Sequence, residues 1–148
     1  MRRAETWVAL TICLAPLLLG FSLPGAVERM CAHGNRLYAA GKYEQAEEAY
    51  ADTLKSRPGN ATLNYNRGAA LYQMQQFDAA AQTFSAAMAN APADLQQDLH
   101  YNLGNTSYRM KRAEQAVEQY KQALRLDPED ADAKHNLEMA LKMEEQQQ

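Results

Sequence analysis

The chain has 148 residues, with 15 basic and 18 acidic side chains, a formal net charge of −3 and an isoelectric point near 5.6. That length holds one domain, with at most a short targeting segment beside it, and the charge balance offers no cationic face for nucleic acid. Glycine and proline are too scarce for a fibrous or disordered chain, and the two cysteines, Cys13 and Cys31, make neither a disulfide framework nor a zinc site. The abundance of alanine, leucine, glutamine and glutamate favours helix.

Met1-Arg2-Arg3 is basic and is followed by an uncharged run from Thr6 to Val27, whose apolar centre, Trp7 to Leu23, is 17 residues long. A secretory signal has a basic start, an apolar region of about 7 to 15 residues and small residues at its cleavage point. A spanning helix needs about 20 apolar residues. The run lies between these classes, so residues 1–25 read either as a cleaved signal peptide or as an N-terminal membrane anchor, with residues 7–23 in the bilayer in the second case. Gly20 and Ser22 have the spacing of a cleavage site, and Pro16 would kink a spanning helix without forbidding it. Leu10-Thr11-Ile12 lacks the small residue that a lipoprotein signal places before its cysteine. Basic residues stay on the cytoplasmic side, so both readings put the rest of the chain outside the cytoplasm: periplasmic, secreted or anchored to the inner membrane.

Pro24-Gly25 breaks the chain ahead of a first helix predicted from Val27 to Ala39, which Gly41 ends. Glu44 opens a second helix, its charge favourable at a helix amino end, and Arg57-Pro58-Gly59-Asn60 closes the pair. Further pairs follow over 61–94 and 95–130, then a last helix over 131–145. Asn60, Asp94 and Asp130 each precede a helix and are predicted N-caps, worth about 1 kcal/mol each. Corresponding positions recur at steps of 34 and then 36 residues. The two extra residues, near Leu95 and Gln96, are expected to lengthen the first helix of the third pair. Ala113 stands where the earlier pairs have Tyr43 and Phe77, so thinner packing is expected there. In the last helix Ala133, Leu137, Ala140 and Leu141 form an apolar stripe, with Lys134, Glu138, Lys142 and Glu145 opposite. Such a helix caps a stack, and the tail Gln146 to Gln148 is expected to fray.

Set side by side, the pairs repeat. Gly34, Gly68 and Gly104 share one position, as do Ala46, Ala80 and Ala116; Tyr50, Phe84 and Tyr120; and Pro58, Pro92 and Pro128. The glycines leave room for the second helix of each pair and the alanines offer a matching small surface. The rings are expected to fill the space between one pair and the next. A unit like this cannot bury its apolar face alone and needs stacked neighbours. A period near 34 residues, with YNLGN-x-x-Y and A-x-x-x-Y-x-x-A-L-x-L-D-P inside His100 to Pro128, resembles the tetratricopeptide repeat (TPR) family over Val27 to Gln148. The resemblance implies an all-α superhelical solenoid over residues 27–145, three helix-turn-helix repeats plus a capping helix, with a concave groove that binds peptides.

Spacings of three and four pick out the inward face of each unit's first helix. That face carries Glu28, Cys31, Ala32, Asn35, Tyr38 and Ala39 in the first unit, and Thr62, Tyr65, Asn66, Ala69, Tyr72 and Gln73 in the second. The third carries Asp98, Tyr101, Asn102, Asn105, Tyr108 and Arg109, and the capping helix Asp132, His135, Asn136, Met139 and Lys142. Asn66, Asn102 and Asn136 make a column of amides, each able to donate to and accept from a peptide unit. Tyr38, Tyr72 and Tyr108 make a column of phenols, large surfaces that lose little entropy on binding. The predicted peptide-binding residues are therefore Asn66, Asn102, Tyr72 and Tyr108, joined by Tyr65, Tyr101, Asn35, Asn105, Arg109 and Asn136. A packing reading stands beside this one, in which the same side chains serve interhelical hydrogen bonds.

Relatives that capture a chaperone's terminal carboxylate are expected to carry lysine and arginine where this chain has Cys31, Asp98 and Asn102, and only Asn35 and Asn66 match that pattern. A chaperone co-factor role is thereby disfavoured. No catalytic, cofactor or metal constellation is predicted: His33, His100 and His135 fall on different helices, and Cys31 reads as a small buried residue. A finer resemblance rests on the basic start and export segment, on Ala-Pro-Ala-Asp-Leu-Gln ahead of Tyr-Asn-Leu-Gly-Asn, and on Asp-Ala-Lys-His-Asn-Leu-Glu-Met-Ala-Leu. Together these are similar to the TPR proteins of bacterial aerotolerance (Bat) operons. That resemblance implies a place beside von Willebrand factor A-domain membrane proteins and a MoxR-type ATPase. The reading is a non-enzymatic, extracytoplasmic adaptor; the alternative is a structural protein that self-associates through its solenoid edges.

Overall fold

The helices are cut by one recurring turn. In the computed structural model, which describes residues 26–148, Gly41, Gln75 and Lys111 occupy the same repeat position and all lie in the left-handed region, at φ 71°, 60° and 60°. Each ends a helix in the same way: the residue donates to the carbonyl three back, and its successor, Lys42, Gln76 or Arg112, donates to the carbonyl five back. This satisfies carbonyls that the helix end would leave orphaned. The predicted export segment lies outside the described residues, as does the side chain of Glu28.

Among the described residues seven helices result: α1 Ala26–Ala39, α2 Tyr43–Ser56, α3 Ala61–Gln73, α4 Phe77–Met88, α5 Ala93–Arg109, α6 Ala113–Leu126 and α7 Ala131–Gln147. They form three antiparallel pairs in an all-α solenoid, with α7 packed on the last pair. Asn60 and Asp130 cap α3 and α7 as expected, accepting from the Leu63 and Ala133 amides at 2.9 Å. Asp94 does not cap α5. Pro92, in extended conformation, precedes that helix, and Asp94 falls in its first turn. Because Pro92 leads straight into α5, the helix gains residues at its amino end and reaches 17 residues, against 13 for α3.

The repeated glycines hold each pair together, though through partners other than those expected. A Cβ on Gly34, Gly68 or Gly104 would lie 2.5, 2.7 or 2.6 Å from the ring of Tyr50, Phe84 or Tyr120. Each ring thus fills the glycine's gap inside its own pair and also joins a buried cluster with the next unit: Tyr50 with Leu63 and Ala70, Phe84 with Leu99, and Tyr120 with Ala140. Ala46, Ala80 and Ala116 are fully buried, and Ala46 shares a cluster with Leu63 and Ala70 of the next pair.

The two edges of the stack are built differently from its middle. The repeat position held by Leu63, Leu99 and Ala133 and the one held by Ala70, Thr106 and Ala140 are buried. On α1 these two positions carry Arg29 and Arg36, both exposed. At the other edge, Leu141 leaves the predicted apolar stripe: it is 38% exposed, whereas Leu71 at the same repeat position is buried by α4. No helix follows α7 among the described residues, and Glu138 occupies the glycine position, so a side chain stands where a partner's ring would lie. The last helix also runs past its predicted end at residue 145. α7 runs to Gln147, whose amide donates to the Lys111 carbonyl at 3.0 Å. This last turn reaches the corner where thinner packing was expected, and Ala113 is only 2% exposed.

Candidate functional site

The first helices of the units, α1, α3, α5 and α7, bring the predicted asparagines and tyrosines together on one wall, but not as uniform ladders. A tyrosine hydroxyl from the second helix of a pair donates to an asparagine on the first: Tyr50 to Asn35 Oδ1 at 2.7 Å, and Tyr120 to Asn105 Oδ1 at 2.8 Å. An asparagine of the next unit donates to the same oxygen, Asn66 to Asn35 and Asn136 to Asn105, both at 3.1 Å. In the middle unit both partners change together. Phe84 has no hydroxyl and Ala69, at the matching position, has no amide to receive one.

Without that acceptor, Asn102 turns elsewhere. Its amide donates to the Tyr65 hydroxyl at 3.3 Å and to the Asp98 carbonyl at 2.8 Å. Asn136 also donates to the Tyr101 hydroxyl at 3.1 Å. The amide hydrogens of Asn102 and Asn136 are therefore committed inside the protein, and what these two side chains retain for a ligand is their carbonyl oxygen. The expectation that each amide of the column both donates and accepts is corrected accordingly. Burial pushes the Tyr50 phenol up to about 12 and raises that of Tyr120 further. Burial, reinforced by Asp98, also raises Tyr65. All three remain neutral hydrogen-bonding groups near pH 7.

Two recesses open on this wall. The first, about 250 Å³, is lined by Asn35, Tyr38, Tyr50, Tyr65, Asn66 and Ala69. The second, about 270 Å³, is lined by Tyr72, Asn105, Tyr108, Arg109, Tyr120, Asn136 and Met139. Five positions recur between them two repeats apart: Asn35 and Asn105, Tyr38 and Tyr108, Tyr50 and Tyr120, Asn66 and Asn136, Ala69 and Met139. The same cup is built twice. Its floor needs the tyrosine–asparagine pair, which the middle unit lacks.

Eight of the ten predicted site residues line a cup. Tyr101 and Asn102 do not: Tyr101 packs at 6.1 Å from the Tyr120 ring and accepts from Asn136, and Asn102 is tied down as described. Both are engaged in interhelical contacts outside the two cups. The cups also use Tyr50 and Tyr120, which the sequence reading gave to packing alone. The signal for them was present, since each lies 15 residues after its asparagine while Phe84 lies 15 after Ala69.

A larger recess, about 660 Å³, lies off this wall, among Arg29, Met30, His33 and Leu37 of α1 and Gln45, Glu48, Ala49 and Asp52 of α2. In the third pair the matching recess between α5 and α6 is flanked by Ala81 and Ser85 of α4. The large recess is thus a repeat interface that no preceding helix covers among the described residues. Among the described residues no group of three or more histidine, cysteine or acidic side chains is placed to hold a metal, and no helix is long and apolar enough to cross a membrane.

Residues 31–94 and 97–130 both match the tetratricopeptide repeat pattern. Among curated proteins none matches the chain. Among solved structures, the TPR domain of Arabidopsis OM64 is 26% identical with a TM-score of 0.74, over 79% of this chain and 95% of that one. The first TPR of Spaghetti (RPAP3), bound to the HSP90 peptide SRMEEVD, is 22% identical with a TM-score of 0.74, over 78% and 90%. The second TPR domain of human RPAP3, in complex with the HSP70 peptide SGPTIEEVD, is 21% identical with a TM-score of 0.71, over 77% and 97%.

Proposed function

The chain belongs to the tetratricopeptide repeat family, and from that premise we propose that it is a non-enzymatic interaction scaffold whose concave wall holds an extended segment of a protein partner. The observation that carries this is the duplicated cup. Neighbouring helices pack about 8–10 Å apart, so the two cups, two steps apart, are separated by about 16–20 Å. An extended chain covers that distance in about five or six residues at 3.3–3.6 Å each. Side chains of one segment enter the two cups, and the carbonyl oxygens of Asn66 and Asn136 accept its amides. Affinity in the micromolar range, about −8 kcal/mol, is expected.

The segment is internal to its partner rather than a chain terminus. Cys31, Asp98 and Asn102 supply no cation where the TPR resemblance places those that grip a terminal carboxylate, and Asp98 would repel one. The basic start, the apolar run of residues 7–23 and the resemblance to Bat-operon proteins support an extracytoplasmic scaffold beside von Willebrand factor A-domain membrane proteins; mass spectrometry of the mature amino terminus tests the export step.

The test is selection of hexapeptides from a random display library with the full chain, followed by binding to an Asn66→Ala, Tyr108→Ala variant that alters both cups. Loss of binding with an unchanged circular dichroism spectrum is expected. Undiminished binding would remove the groove from the account.

A further inference from the structure

The two cups share four identical residues at matching positions, and the second differs from the first by one charge. Arg109 lines the second cup; two repeats earlier the same position is Ala39. The guanidinium carbon of Arg109 lies 4.7 Å from the Phe77 ring centroid and 5.9 Å from that of Tyr72. Contact with ring faces holds a guanidinium in place while leaving N–H donors along its edge. Ion pairs among the described residues join Lys55 to Asp52, Arg67 to Glu47, Arg112 to Asp78 and Lys134 to Glu129, and none engages Arg109.

The hydroxyls around it point to the same need. In the first cup the Tyr38 oxygen accepts from Gln73 at 3.5 Å and the Tyr50 hydroxyl donates to Asn35. In the second, Tyr120 is likewise paired to Asn105, and the Tyr72 and Tyr108 hydroxyls, like that of Tyr38, donate to no acceptor among the described residues. An adjoining recess, which shares Tyr108 and Met139 with the cup, adds Lys111 and Lys142. The acidic residues of the same wall, Asp98 and Asp132, lie near the other ends of α5 and α7. At 1.5 Å per residue, Asp98 is about 16 Å along α5 from Arg109. The second cup thus differs from the first by a guanidinium at its rim, with two phenol donors beside it.

We propose that the second cup reads a carboxylate side chain, an aspartate or glutamate of the partner's extended segment, held by the Arg109 guanidinium with the Tyr72 and Tyr108 hydroxyls beside it. This rests on the groove reading above and adds the chemistry of the guest. A guanidinium binds a carboxylate through two parallel hydrogen bonds, and charge-assisted bonds of this kind are the strong ones. The acidic residue sits about five positions from the one that enters the first cup, so that a hexapeptide presents both.

The probe is a positional library of hexapeptides, acetylated and amidated at their ends, presented to the full chain and to Arg109→Gln and Arg109→Lys variants. In the unsubstituted protein, aspartate or glutamate should be enriched at one position, and its replacement by asparagine or glutamine should weaken binding about tenfold or more. Arg109→Gln should erase that difference and Arg109→Lys should keep part of it, each with an unchanged circular dichroism spectrum. Binding without an acidic preference, or a preference that survives in Arg109→Gln, overturns the proposal and leaves the groove standing. Binding by a parallel set with free carboxyl termini, but not by the capped library, overturns it in favour of terminal capture. Failure of every peptide to bind overturns both this proposal and the groove reading.

Discussion

At the scale of single residues, the informative feature is a pair that changes as a pair. Tyr50 with Asn35 and Tyr120 with Asn105 are bonded, and Phe84 with Ala69 is the apolar version of the same contact. Removing one partner strands the other, whereas removing both can be nearly neutral. Tyr120→Phe alone should therefore cost about 1–2 kcal/mol in urea unfolding. Adding Asn105→Ala, which reproduces the middle unit, should cost less than the sum of the two single changes by about 0.5 kcal/mol or more. Additive costs would show the hydrogen bond to be incidental. The turn residues give a prediction of opposite sign. Gln75 holds at φ 60° a conformation that Gly41 adopts without penalty, so Gln75→Gly should raise stability by about 0.5–1 kcal/mol. A loss would mean that this turn is not under strain. The recurring glycines and rings were legible in the sequence because close approach leaves a mark at a fixed spacing. Which ring fills which gap was not, since the same periodicity fits packing within a pair and between pairs.

At the scale of helices, boundaries followed from caps where the cap was a side chain and failed where the backbone did the work. Asn60 and Asp130 each accept a first-turn amide; Asp94 looked equivalent in sequence, but Pro92 already starts α5. Asp130→Ala should thus cost about 1 kcal/mol. Asp94→Ala should cost only the few tenths, about 0.3–0.5 kcal/mol, of a first-turn acidic charge. Equal costs would restore Asp94 as a cap. The end of α7 was misread for a related reason. A glutamine-rich tail carries no apolar signal, so only the contact of Gln147 with Lys111 reveals that it is held. Glu138 was legible as a polar outer residue, but its place in the glycine column is what closes the stack.

For the whole molecule, the buried phenols make stability depend on alkali. Tyr50 and Tyr120 have their phenols raised above the ordinary value near 10, mainly by burial. Above about pH 10 the unfolded chain releases these protons while the folded one keeps them, so the unfolded state binds fewer protons and stability falls as pH rises. Below that range the two states carry the same protons and this contribution is flat. The urea midpoint should hold from pH 8 to about 9.5 and then drop toward pH 12, more gently in the Tyr120→Phe, Asn105→Ala protein; an equal slope in both would dissociate Tyr120 from the effect. The solenoid itself was readable from the repeat, while the cups were not, because only three-dimensional stacking shows that positions two repeats apart build the same recess.

The central claim is that the concave wall, rather than an edge or the outer surface, seats an extended guest. Chemical-shift mapping of the isotopically labelled full chain, titrated with a selected hexapeptide, tests it most directly. The account predicts shifts at the side-chain amides of Asn66 and Asn136 and at the Met139 methyl, with Ser85 and Gln115 unmoved at the recess between α5 and α6. Shifts confined to that recess, or to Arg29, Met30 and His33 at the open edge, would contradict it.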